Sequence, residues 1–286
     1  MSPSPVETFA AALDLAKLPA HANSLMASVM AWSLIYSGAH HFSKGSSHYR
    51  KLSPIKQADW CIHIVSSVHA TLIILLAYPI FDNPTLKADK ILAYDPYAGF
   101  VYSIAAGYFL WDSVICLWNV KQFGIGFALH GVACLAVFML SFRPFLMYYG
   151  AAFLMFELST PFLNIHWFCD KTGRTGSTLQ LVNGIVLIAA FFMARIVFGF
   201  INSYDFAVTC MSRMDDIPTA YVYVYGIANI LLNGLNVFWL SKMITALTSR
   251  FSASKRKPVG SSKKAAVAAL YPAADVVAKA SIDKQR

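Results

Sequence analysis

The sequence predicts an all-α, polytopic membrane protein, a bundle of about seven transmembrane helices, and three observations predict it. The 286 residues are 57% apolar and only 13% charged, with a mean hydropathy of +0.54, whereas about a quarter of the residues in soluble domains are charged. Seven stretches meet the requirement of a bilayer core, about 30 Å thick, for about 20 apolar residues in helix. Finally, the basic residues are unevenly placed. From Lys242 onward there are ten Lys and Arg against two acids, and before it thirteen against twelve. A nearly neutral apolar body with a basic tail argues against nucleic-acid binding, which a net charge of +9 would otherwise suggest. It fits a tail on a cytosolic membrane face instead.

The elements follow in order. Residues 1–22 contain Glu7, Asp14 and Pro19 and lack the basic start and apolar run of a cleavable signal. They are expected to form a luminal N-terminal segment, with the first span acting as the targeting signal. The transmembrane domain covers 23–247, with spans at about 23–42, 60–81, 97–119, 124–142, 144–168, 178–200 and 221–245. Only Arg143 and Pro144 divide the fourth span from the fifth, so the pair is a tight hairpin or, alternatively, one broken element in a six-span protein. Lys44, Arg50, Lys51 and Lys56 in the first loop, and Arg250, Lys255, Arg256, Lys257, Lys263 and Lys264 in the tail, should all be cytosolic. Seven spans satisfy both, with the N-terminus luminal and the C-terminus cytosolic. Residues 248–286 read as a basic, disordered cytosolic tail. Its KRKPVGSSKK stretch can attract anionic lipid at about 1 kcal/mol per basic residue, or can serve as a topology signal alone. Five scattered cysteines without a C-x-x-C pair suggest neither disulfides nor a metal site, and no cofactor is expected.

An ionisable residue within a span costs roughly 2.5–3.5 kcal/mol on insertion scales, so each one calls for a reason. These residues are His63 and His69 in the second span, Asp112 in the third, His130 in the fourth, Glu157 in the fifth and Arg195 in the sixth; the amides Asn164, Asn183, Asn233 and Asn236 join them. At about 1.5 Å per residue, His69, Asp112, His130, Glu157, Asn164 and Asn236 fall roughly 6–16 Å from the cytosolic ends of their helices. Arg195, about 25 Å along its span, is the exception and is expected to snorkel toward the far interface. Such a layer can be interhelical glue at about 0.6 kcal/mol per contact. The favoured reading is a cavity open to the cytosolic leaflet that receives a lipid head group or an acyl thioester. Ser66 and His69, three apart, share a helix face and can address one ligand. Pro161, lacking an N–H, frees the carbonyl of Glu157 and predicts a kink, which a membrane tolerates where it lines a cavity.

WCIHIVSSVHA (Trp60 to Ala70), GYFLWD (Gly107 to Asp112), His130 and above all ELSTPFLNIHWF (Glu157 to Phe168) resemble the TLC-domain proteins. That family includes the ceramide synthases and the translocation-associated TRAM protein, and the chain is most similar to its small TLC-domain-containing members. The resemblance implies a six-helix barrel plus one helix and residence in the endoplasmic reticulum. In ceramide synthases adjacent histidines move an acyl group from coenzyme A to a sphingoid amine; here the matching pair is His130-Gly131. Asp112 matches the family's intramembrane Asp and is expected to orient His130. Together with the polar layer, in which Ser66, His69, Glu157, Asn164 and Asn236 are expected to bind or sense a lipid or acyl group, the resemblance implies a role in lipid homeostasis. One alternative is a sphingoid-base N-acyltransferase with His130 as base or acyl carrier, Asp112 as its orienter and acyl-CoA as substrate. Another is a lipid transporter or trafficking receptor. The expected partners are membrane lipids, not nucleic acid.

Overall fold

The structure, a computed structural model, describes residues 3–255, with side chains through residue 248. The rest of the tail, with most of its proposed anionic-lipid segment, lies outside the described residues. Thirteen α-helices, and no strand, are found among the described residues. Helix α1 (Pro5–Ala12) opens on a capping box in which the Ser4 N–H donates to Glu7 Oε2 (2.6 Å) and the Glu7 N–H donates to Ser4 Oγ (3.2 Å). Helix α2 (Leu18–Ser43) starts ahead of the expected residue 23, and the single turn α3 (Ser47–Arg50) follows it. Helix α4 (Pro54–Ala77) continues as a 3₁₀ turn to Asp82 and is followed by the short α5 (Pro84–Ala88). Next come α6 (Pro96–Trp118), the turn α7 (Val120–Phe123) and α8 (Ile125–Leu140). Pro54, Pro84 and Pro96 each open a helix, where a missing N–H costs nothing.

The fifth expected span is broken into three pieces: α9 (Met147–Leu154), a 3₁₀ segment (Met155–Ser159) and α10 (Thr160–Lys171). It is separate from the fourth, because α8 ends at Leu140 and Leu146 turns left-handed (φ 56°) before α9 begins. The sixth consists of α11 (Thr178–Phe191), a π-helical segment (Phe192–Val197) and α12 (Phe198–Ser212), so it runs well past the expected residue 200. Helix α13 (Thr219–Lys255) closes the described chain.

Among the described residues, four helices are long and apolar enough to cross a membrane: Pro54–Asp82, Pro96–Trp118, Thr178–Ser212 and Thr219–Thr248; α8 is apolar but shorter. The architecture is thus an all-α multi-pass membrane bundle, whereas the count of seven spans is not reached by length and composition alone.

Packing closes the helices into a ring. Helix α4 touches α6, α6 touches α8, α8 touches α13, α13 touches α11 and α12, α11 touches α10, and α10 returns to α4. Helix α2 lies outside, against both α4 and α6. Small residues allow the close approaches, as expected where no water drives helices together. A Cβ on Gly107 would stand 2.6 Å from Ser28 and 2.8 Å from the Leu25 carbonyl, so α2 and α6 could not approach this closely with any other residue there.

The two ends of the ring differ. At one, Tyr49, Trp60 and Trp167 build an aromatic cluster beside the first loop. At the other, ion pairs tie segments together: Lys90 with Asp205 (2.8 Å), Arg143 with Asp14 (3.0 Å) and Arg213 with Asp89 (2.9 Å). Partial burial pushes the Asp89 carboxyl up, but the N–H groups of Leu92 and Ile91 and the Arg213 guanidinium outweigh it and hold the group below the usual aspartate range. A depressed folded value adds stability that is present above the unfolded pKa and lost as pH falls through the folded one. Wild type should therefore lose thermal stability through the acidic range below about pH 4 more steeply than Asp89→Asn. Parallel pH profiles of the two proteins would remove this role from Asp89.

Candidate polar cavity

A cavity of about 210 Å³ lies inside the ring, lined from all six of its walls. Its mouth carries Lys56, Asp59, Phe123 and Lys242; its interior carries His63, Ser66, Asp112, His130, Glu157, Asn164 and Arg195 among apolar walls that include Phe109, Phe127, Leu163, Phe191 and Trp239. Five expected site residues, Ser66, Asp112, His130, Glu157 and Asn164, therefore share one space.

On α4 the cavity stripe is Asp59, His63 and Ser66, a spacing of four and then three that keeps one helix face. His63 Nδ1 lies 2.7 Å from Asn164 Oδ1, and its Nε2 lies 3.6 Å from Asp59. The Asn164 amide donates to Ser67 Oγ (2.8 Å) and Ser66 Oγ (3.3 Å), which leaves its oxygen facing His63, so Nδ1 donates to it. The His63 ring also stacks on Trp167 (centroids 4.3 Å apart). His63 belongs to this network and His69 does not, although the sequence reading favoured His69. His69 is fully buried, stacked on Tyr108 (3.6 Å) and edge-on to Trp32 of α2 (5.3 Å), outside the cavity lining. The expectation that Ser66 and His69 address one ligand is thereby corrected.

Arg195 is the second correction. It does not snorkel to an interface: the residue is 6% exposed and lines the cavity inside the ring. Helix α11 begins at Thr178 and α10 ends at Lys171, so Arg195 and Glu157 lie roughly 25 Å and 21 Å from the mouth end at about 1.5 Å per residue, at nearly one depth. The Arg195 Nε–H donates to the Phe156 carbonyl (3.0 Å) and Ser159 Oγ (3.2 Å), Nη1 to Asn236 Oδ1 (3.3 Å) and Nη2 to Thr160 Oγ1 (3.5 Å); the Glu157 carboxylate is 3.9 Å away. Irregular backbone on both sides makes this possible, the 3₁₀ segment presenting Phe156 and Ser159 and the π-helical segment turning Arg195 inward. The expected kink ahead of Pro161 is that 3₁₀ segment. Asn236 does not line the main cavity; it holds Arg195 and borders a neighbouring void of about 40 Å³ that His130 and Glu157 share.

The interior is rich in acceptors. The Asp112 carboxylate meets the Cys116 thiol at 3.8 Å, and neither Glu157 oxygen lies within hydrogen-bond distance of a donor among the described residues. The contacts of His130 are the Cys134 sulfur (3.9 Å) and the rings of Trp239 (5.5 Å) and Phe109 (6.2 Å). Asp112 and His130 share the cavity wall without a hydrogen bond between them, so the orienting contact expected from the sequence is not formed. Beside His130, a Cβ on Gly131 would stand 2.9 Å from Ser113 Oγ and 3.1 Å from Asp112 Oδ2.

The sequence profile of the TLC domain matches residues 59–245, which include every interior residue of this cavity. The chain belongs to the TLC-domain family. It is 41% identical to an uncharacterized TLC domain-containing protein of Schizosaccharomyces pombe, over 88% of this chain and 87% of the relative. It is 32% identical to Topoisomerase I damage affected protein 4 of Saccharomyces cerevisiae (76% and 77%) and 28% identical to the human TLC domain-containing protein 4 (73% and 82%). No solved structure matches the TLC-domain chain at a significant level.

Proposed function

We propose that this TLC-domain protein serves lipid homeostasis by binding or sensing the polar end of a membrane lipid or acyl group in the cavity of the ring. The observation that carries the reading is one enclosed space in which a buried Arg–Glu pair, Asp112 and His130 stand among aromatic and aliphatic walls. An amphiphile needs that pairing, because buried polar groups demand partners while apolar walls favour a chain. At about 210 Å³ the space falls below the roughly 300–1,000 Å³ of pockets that enclose whole drug-sized ligands. It suits a head group or a chain end.

The cytosolic side is the favoured one for the mouth. Among the described residues, the segments at that end carry Lys44, Arg50, Lys51, Lys56, Lys121, Lys171, Arg174 and Lys242 against Asp59 and Asp170, the distribution that the positive-inside rule assigns to the cytosol. The family resemblance favours the endoplasmic reticulum. The test is native mass spectrometry of the protein extracted from its membrane. A lipid class should be retained by wild type and lost, with the fold intact by circular dichroism, in Asp112→Asn and Asn164→Leu. Equal retention in both variants, or no lipid selected over the bulk membrane, would sink the reading.

A second reading has its own support. Asp112, Glu157 and His130 bring acceptors into one space, which suits the amine of a sphingoid base, and on this reading His130 takes its proton during acyl transfer from coenzyme A. Product formation from acyl-CoA and sphinganine that falls at least tenfold in His130→Ala would favour catalysis over binding alone.

A further inference from the structure

The two irregular segments that hold Arg195 and Glu157 form a wall with two different sides. Inward, Glu157, Ser159, Thr160, Phe191 and Arg195 face the polar cavity. Outward, the same segments present Met155, Leu158 and Phe162, and Ala190, Met193 and Ala194, to an open groove of about 540 Å³. The two lining sets interleave residue by residue, 155 out, 157 in, 158 out, and 190 out, 191 in, 193 out, so the wall is one helix layer thick. Apart from Tyr78 the groove is lined by apolar side chains, and Met193 and Leu158 are 58% and 43% exposed. It lies along Thr178–Ser212, one of the helices apolar enough to cross the membrane, and Phe81 at its edge belongs to another, Pro54–Asp82. Hydrocarbon is what such a surface meets.

We propose that this seam is a lateral portal: a bilayer lipid lays an acyl chain in the outer groove and passes its polar end between the two segments into the cavity, with Arg195 as the latch. The inference rests on the lipid-binding reading above and adds the route. Three features carry it. The occupant is fixed by chemistry on both sides of the wall, because a polar interior backed by an apolar exterior matches the two ends of one amphiphile. The wall is the part of the ring with the least regular backbone, 3₁₀ on one side and π on the other, and such segments mark helices that shift. Finally, the bonds that close it are Arg195 contacts of 3.0 to 3.9 Å to Phe156, Ser159, Thr160 and Glu157, which the polar end of an incoming lipid can replace one at a time.

The experiment measures exchange separately from occupancy. Protein carrying its retained lipid is placed in nanodiscs of chain-deuterated phosphatidylcholine and phosphatidylethanolamine, and native mass spectrometry follows the appearance of deuterium in the bound lipid. Ala190→Trp fills the groove from outside the cavity; Met193→Trp does the same from a more exposed position and serves if the first does not fold. Lys242→Trp narrows the mouth. The portal predicts exchange slowed about tenfold by the groove variants at unchanged occupancy, and an unaltered rate in Lys242→Trp. Exchange slowed by Lys242→Trp alone, or by none of the three, would overturn the portal and leave the binding reading in place. A wild type that retains no lipid would overturn both.

Discussion

Glu157→Leu is expected to destabilise the folded ring by about 3–5 kcal/mol, and adding Arg195→Leu to it is expected to restore part of that loss. The order of the two effects follows from which partner can give up its charge. A guanidinium stays protonated in any protein environment, so without Glu157 the buried Arg195 keeps a full charge with no anion paired to it, facing the neutral oxygens of Phe156, Ser159, Thr160 and Asn236 and the rings of Phe156 and Phe191. Arg195→Leu leaves Glu157 behind instead, and a carboxylate can take a proton and become neutral. Its cost should stay nearer the 1–3 kcal/mol of unsatisfied buried acceptors. The double variant carries neither charge but still strands those acceptors, hence a partial recovery. Thermal unfolding of the four proteins in one detergent measures all three differences. Equal losses in the two single variants would mean that water in the cavity screens both groups, and the buried-pair account would fall.

The sequence disclosed the helical, membrane-embedded character and five of the cavity's residues, because hydropathy and rare intramembrane charges are strong local signals. What it hid were rotations and helix ends. On a wall helix that touches the cavity on one side and α2 on the other, three residues amount to about 60° of turn. That angle puts Ser66 inside and His69 against Trp32 and Tyr108. The stripe Asp59, His63 and Ser66 was visible in the sequence and points to His63. Arg195 was misplaced because Asn202, Ser203 and Asp205 look like a loop, whereas the helix continues to Ser212 and leaves Arg195 far from either end. The π-helical segment that turns it inward has no signature in composition. Similarly, a threshold of length and apolarity passes over α2, α8 and the broken 147–171 stretch, whose membrane fit depends on the neighbours in the ring.

Gly131→His, which would rebuild the paired histidines of the ceramide synthases, is expected to cost more than about 3 kcal/mol and to add no acyl transfer. The reason is the approach of α8 to α6. Even a Cβ at this position would press on Ser113 Oγ at 2.9 Å, on Asp112 Oδ2 at 3.1 Å and on the Ser113 Cα at 3.5 Å. Gly131→Ala should therefore cost about 1 kcal/mol, the crowding of about 1–3 kcal/mol being offset by up to about 1 kcal/mol of helix propensity. Ser113→Ala, which removes the nearest of the three atoms, should recover most of that cost in the double variant. An imidazole is much larger and meets backbone as well as side chain, so it can fit only by moving α6 and, with it, Asp112. The missing histidine is thus part of how this ring packs, and on the proposed acyl-transfer reading His130 would act without a neighbouring histidine at position 131. Thermal stability of the three variants, with acyl-CoA consumption measured alongside, checks both halves. A stable Gly131→His protein, or one that gains turnover, would show that α6 and α8 can open to receive the second ring.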